Sequence, residues 1–239
     1  MSAELQELPR VGEAEFQYRS VSLLGILGLI LGLASPLALI SPIGWVVPAA
    51  GAIVSLVAAI RIHRNSDRLA GKTLALIGLA LSLWLGTWAP TKFFVDRQFL
   101  SSRSNEISTE WLRRVVNSEL ESAHQSTLEF RFRQPKNTDL KAYYETAEID
   151  RNDLQEYFGQ GLIKEVVARP PSTKITRERI RTIERDKKGR HLIVNIYNID
   201  PPDSERITIA IEATRILYKD KFYWQITGAA DPVVLYGEE

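Results

Sequence analysis

Forty-one consecutive residues without a charged side chain, Ser20 to Ile60, open the patterned part of the chain. A basic connector with Arg61, Arg64, Arg68 and Lys72 follows, and then a second apolar run from Thr73 to Phe94. A helix that crosses a hydrocarbon core of about 30 Å needs about 20 apolar residues, so the first run is long enough for two. The break falls at Ser35-Pro36 and Ser41-Pro42-Ile43-Gly44, where proline removes an amide donor and glycine permits a turn. The pattern therefore predicts spans at about 21–40, 43–60 and 73–93. In lipid the backbone must satisfy its own hydrogen bonds, which makes these segments helices.

The pattern then turns amphipathic. Residues 97–104 read as a short polar neck, after which Ser104 or Asn105 caps a helix with Trp111, Leu112, Val115, Val116, Leu120 and Ala123 on one face. Shorter helical patterns cover about 138–147 and 150–160, and Gly159 and Gly161 are expected to end helical structure. From Pro170 onward, β-branched runs at 174–185, 190–199, 206–218 and 221–228 are separated by turn residues and predict an antiparallel meander. Ile207, Ile209, Ile211 and Ala213 share one face of their strand and Thr208, Glu212 and Thr214 the other. The predicted fold class is thus a membrane α-helical part with three transmembrane helices, plus a soluble α+β domain whose N-terminal helices pack on a curved antiparallel sheet. Its predicted divisions are a tail at 1–19, a three-helix module at 20–94 and a soluble domain at 97–239.

Charge sets the expected orientation. The connector carries four basic residues and the N-terminal tail two, which by the positive-inside rule puts both on the cytoplasmic side. Three spans then carry the C-terminal domain to the extracytoplasmic side, against a weaker counter-signal from Lys92, Arg97 and Arg103. Trp45, Trp84 and Trp88 fall near the same, outer interface. If the first run is instead one re-entrant hairpin, the parity flips. The acidic tail, with Glu4, Glu7, Glu13 and Glu15, lacks the basic start of a signal peptide and is expected to remain as a disordered cytoplasmic segment. Residues 97–239 hold 23 basic and 23 acidic side chains, which argues against nucleic acid as a partner. The absence of cysteine excludes disulfides and thiolate metal sites.

Small residues recur at helical spacing: Gly28 and Gly32; Gly51, Ser55 and Ala59; Gly78, Ser82 and Gly86. They predict close helix packing, either within the module or between copies of the chain. No ionisable residue lies inside a predicted span, which disfavours an ion pathway. Residues 19–94 resemble the bacterial membrane module called domain of unknown function 4190. The resemblance rests on Ser22-Leu23-Leu24-Gly25-Ile26-Leu27-Gly28, on Ile60-Arg61-Ile62-His63-Arg64 and on the stretch Arg68 to Leu79. It implies a bacterial membrane location and no activity. The element order of about 105–230, closing on Phe222-Tyr223-Trp224-Gln225-Ile226, is similar to the nuclear transport factor 2-like, or cystatin-like, fold. That fold hosts both binding modules and enzymes.

Candidate chemistry is sparse. His63, His124 and His191 have no metal-ligand spacing, and neither a phosphate loop nor a nucleophile elbow is present, so no metal or cofactor is expected. His124, Tyr143 and Tyr157 are the candidates to line a pocket in the α+β domain. Glu119 with Glu121, Asp150 with Asp153, and the turn acids Asp200, Asp203 and Glu205 read as surface or helix-start carboxylates. Residues 174–190 hold eight basic side chains against three acidic ones, and Arg177, Arg179 and Arg181 are expected to project from one strand face as a candidate contact for an anionic surface or as a solvated edge. The expected role is a multi-pass inner-membrane protein presenting a ligand- or protein-binding domain, with the membrane, a protein partner or further copies of itself as partners. The alternatives are a membrane-tethered enzyme with a cone-shaped cavity and an oligomeric scaffold.

Overall fold

A computed structural model describes residues 20–66 and 69–233. The acidic tail and Arg68 lie outside the described residues. The chain divides into two compact units that meet at Phe94 and Val95.

The first unit is helical. The short strand β1 (Ser20–Val21) pairs in parallel with β2 (Leu69–Ala70), bringing together the start of the first helix and the start of the last. Helix α1 (Leu23–Ala34) tightens into a 3-10 segment at Ser35–Leu39. A second 3-10 turn at Pro42–Trp45 leads into α2 (Val46–Arg64). Pro36 and Pro42 lack the amide an α-helix needs, so the tightening falls where the sequence places the break. Helix α3 (Lys72–Val116) begins in this unit and ends in the second. Two helices are long and apolar enough to cross a membrane, Pro42–Arg64 with 23 residues and Lys72–Val116 with 45; Leu23–Leu39 is apolar but shorter. The sequence predicts three comparable spans, and the prolines shorten the first.

The unit inverts the usual order of a core. Gly25, Gly28, Gly32, Gly51, Ser55, Ala58 and Ser82 are buried, while Leu23, Ile40 and Ile43 are 82%, 80% and 84% exposed. The small residues let helix backbones touch. A Cβ added to Gly78 would lie 2.6 Å from the Gly28 carbonyl oxygen, and one on Gly32 would lie 2.8 Å from that of Gly78. Gly28 faces Ser55, Gly51 faces Ser82, and Gly86 meets Pro48 at an ordinary 3.4 Å. All five candidate packing glycines therefore meet other elements of the same unit.

The second unit is α+β. The residues expected to form a polar neck are helical, because nothing between Val95 and Val116 breaks a helix and Ser104 is buried in its interior. Helix α3 ends at Val116, and Ser118, at φ 61°, turns the chain into α4 (Leu120–Thr127). Asp139 caps α5 (Leu140–Thr146) by accepting from the amides of Lys141 and Ala142. Helix α6 (Glu148–Phe158) ends at Gly159, but helical structure resumes in α7 (Gly161–Val167), since Gly161, at φ 54°, supplies the reversal between them. Strands β3 (Lys174–Arg185), β4 (His191–Asp200), β5 (Ile207–Tyr218) and β6 (Lys221–Ala230) form one antiparallel sheet in the order β3-β4-β5-β6.

The core lies between α3 and one face of this sheet. Trp111, Leu112 and Val115 pack with Tyr197, Ile199, Ile209, Ile211, Ala213 and Ile226. The alternation read in β5 places its isoleucines here, and each fully buried one contributes about 2 kcal/mol. Polar ties set the register of helix on sheet. The Asn195 side-chain amide donates to Ser104 Oγ at 3.0 Å and the Tyr197 hydroxyl to Asn105 Oδ1 at 3.0 Å. Register shifts between Arg177 and Arg179, between Ile180 and Thr182 and between Glu212 and Ala213 bend the outer strands.

Candidate functional site

The architecture leaves an open cleft of about 790 Å³ between α4, α6, the start of α7 and the edge strand β6. Two clamps hold α4 and its following loop against that edge. Arg133 donates to the carbonyls of Ser126 and Leu128 and, at 2.7 Å, to that of Trp224. Gln225 Nε2 donates to the Thr127 carbonyl at 2.8 Å. The Trp224 carbonyl of the edge strand β6 is thereby covered. Trp111 fixes the other side: its indole nitrogen donates to the Ala123 carbonyl at 3.2 Å and its ring stacks on Phe158.

His124 and Tyr157, two of the three pocket candidates, line this cleft together. Tyr143 does not. Its hydroxyl donates to Asp150, which also raises its pKa, and its ring packs edge-on against Tyr144. The neighbouring tyrosine is the one that matters to His124, because on a helix adjacent residues point in different directions. The amide of Gln134 donates to Gln125 Oε1 at 2.7 Å, which turns Gln125 Nε2 toward the Tyr144 hydroxyl at 2.8 Å. The same hydroxyl lies 2.7 Å from His124 Nδ1, and its proton is available to that nitrogen. In the neutral tautomer that carries its proton on Nε2, His124 accepts from this hydroxyl at Nδ1.

Burial lowers the His124 pKa below its ordinary 6.5, against opposing attraction from Asp153 and Asp150. Burial pushes Tyr144 up to about 12, with Gln125 acting the other way. Tyr157 is also raised by burial, and its hydroxyl is enclosed without a hydrogen-bond partner. An unpaired buried hydroxyl costs stability unless something else satisfies it.

The remaining lining residues give the cleft its character. Asp153 and Glu156, one helical turn apart on α6, and Asp231 beyond β6 contribute three carboxylates, while Leu128, Ile163 and Ile226 are apolar. No lysine or arginine lines it among the described residues. The i, i+3 and i, i+4 spacing of Asp153, Glu156 and Tyr157 was a local signal in the sequence; the approach of Gln225 and Asp231 was not. Among the described residues no group of three or more histidines and carboxylates is placed to hold a metal ion.

The three arginines of β3 do not form a stripe. Arg177 pairs with Tyr197 on the helix-covered face and donates to the Ser101 carbonyl at 3.3 Å, whereas Arg179 pairs with Ile196 on the other face. The bulges between them break the alternation on which the expectation rested. His191 opens the central strand β4, where burial and the charges of Arg215 and Arg185 lower its pKa. No protein-family model, curated protein or solved structure matches the chain.

Proposed function

We propose that this protein is a bacterial inner-membrane protein whose N-terminal unit anchors, on the extracytoplasmic side, an α+β domain that binds a small amphipathic molecule bearing a cationic group. The membrane reading is supported by the inversion of the first unit, whose large apolar side chains at 80% exposure and above suit a lipid surrounding. Helix α1 with its 3-10 extension rises about 28 Å, which is close to the core thickness and supports three crossings. Trp45 packs with Phe93 and Phe94 at one end of the unit, an arrangement suited to an interface. Three crossings and the basic connector together give a cytoplasmic N-terminus and an outer C-terminal domain.

The ligand class rests on one observation: a cleft with three carboxylates, no lysine or arginine, an apolar floor and two hydrogen-bonding rings. A cation is attracted by Asp153, Glu156 and Asp231, and the unpaired Tyr157 hydroxyl and the His124 ring supply orientation. Binding is favoured over catalysis because the group on His124 Nδ1 is a phenol, and among the described residues no carboxylate is bonded to that nitrogen to stabilise an imidazolium. The matched pair 2-phenylethylamine and phenylacetate tests this on the detergent-solubilised full chain by calorimetric titration. Saturable binding of the amine alone, lost in Asp153→Asn, is expected; equal binding of both, or of neither, overturns the proposal.

A further inference from the structure

The four strands form a simple meander, so the β3–β4 and β5–β6 turns share one end of the sheet and the β4–β5 connection lies at the other. The two ends differ in charge. The β3–β4 turn carries Arg185, Lys187, Lys188 and Arg190 against Asp186, and the β5–β6 turn places Lys219 and Lys221 around Asp220. The opposite end holds Asp200, Asp203 and Glu205 against Lys174, which pairs with Asp200 across the strands, and Arg206, which is tied to Asp200 at 2.5 Å.

The basic end is also apolar. Leu217 is 57% exposed, Phe222 52% and Tyr218 36%, all beside a tight turn in which Lys219 and Asp220 have φ 47° and 62°. The Arg215 guanidinium lies over the Phe222 ring at 3.6 Å and over that of Phe99 at 5.4 Å, and Phe99 is itself 51% exposed. Apolar side chains framed by lysines and cation-stacked rings suit a headgroup layer, where rings enter the interface and lysines meet phosphates. Chain connectivity names the occupant. Phe99 follows Phe94, the last residue of the apolar unit, by five positions, a length of chain that reaches at most about 18 Å in any conformation.

We infer that this end of the sheet docks on the headgroup layer of an anionic bilayer, the one in which the chain is anchored. The inference rests on the membrane reading given above. Docking there holds the acidic β4–β5 connection at the far end of the sheet, away from the lipid.

The chain has no native cysteine, so single labelled cysteines report directly. Leu217→Cys, Asp203→Cys and Ile53→Cys, each carrying a fluorophore, are to be reconstituted as full chains in vesicles with phosphatidylglycerol or with phosphatidylcholine alone, and quenched by spin-labelled lipids. The label at 217 is expected to be quenched several-fold more than that at 203 in anionic vesicles. That excess should fall in zwitterionic vesicles and when Lys187, Lys188, Lys219 and Lys221 are replaced by glutamine. Quenching at 217 no greater than at 203, with position 53 strongly quenched, overturns docking and leaves the anchor intact. A label at 217 shielded from aqueous quencher without contact with lipid means a protein covers this end, and also overturns it. An unquenched label at 53 removes the membrane reading and docking with it.

Discussion

At the scale of single residues, two side chains in the cleft have opposite consequences for stability. His124 is neutral when folded, with a pKa below the 6.5 of an exposed histidine. Above that value both folded and unfolded chains hold a neutral ring, so its full contribution is present. As pH falls through 6.5 and on through the lower folded value, the unfolded chain takes up the proton first and stability is lost. His124→Gln, which keeps an acceptor for Tyr144, should flatten the fall of melting temperature over this window, leaving the share that His191 contributes by the same sign. Tyr157→Phe removes an enclosed hydroxyl that has no partner and should raise stability by about 1 kcal/mol in chemical denaturation. The same change should weaken amine binding, since the hydroxyl unpaired in the empty cleft is the one a ligand would satisfy. The partner of His124 was not visible in the sequence: the pattern pointed to Tyr143, and only the orientation of α5 brings Tyr144 to His124 instead.

At the scale of elements, the two units use opposite packing rules. In the second, β5 buries Ile207, Ile209 and Ile211 against Trp111 and Leu112, the ordinary burial of large apolar side chains away from water. In the first, contact is made by glycine on glycine or serine, and under the proposed membrane reading this is expected, since lipid tails give helices no hydrophobic reason to associate. The glycines are therefore unequal. Gly78→Ala forces a Cβ into the Gly28 backbone and should cost about 1–3 kcal/mol of thermal stability in detergent. Gly86→Ala, at ordinary contact with the Pro48 ring, should be close to neutral, and equal effects of the two would show that the helices do not meet as described. Bulges act at this scale too. They split Arg177 from Arg179 and turned an expected basic stripe into one helix tether and one residue on the far face.

At the scale of the whole molecule, the proposed orientation makes a direct claim about compartments. Alkaline phosphatase fused after Glu239 should be active and the same enzyme fused after Arg19 inactive; the reverse result would place the cleft in the cytoplasm and remove the proposed role. The two apolar runs, the basic connector and the four strands with their turns were determined by the sequence alone, since each follows from local composition and periodicity acting over ten to twenty residues. So was the face that each strand of the β5 type buries. The helix after Phe94 and the shortening of the first apolar helix also follow from local sequence, the first from the lack of a breaker and the second from Pro36 and Pro42. Tertiary structure alone decided that the glycine faces are consumed inside one unit. It also decided which carboxylates, tyrosines and strand edge converge on His124. Those outcomes depend on contacts between residues separated by twenty to a hundred positions, where periodicity carries no information and packing chooses the partner.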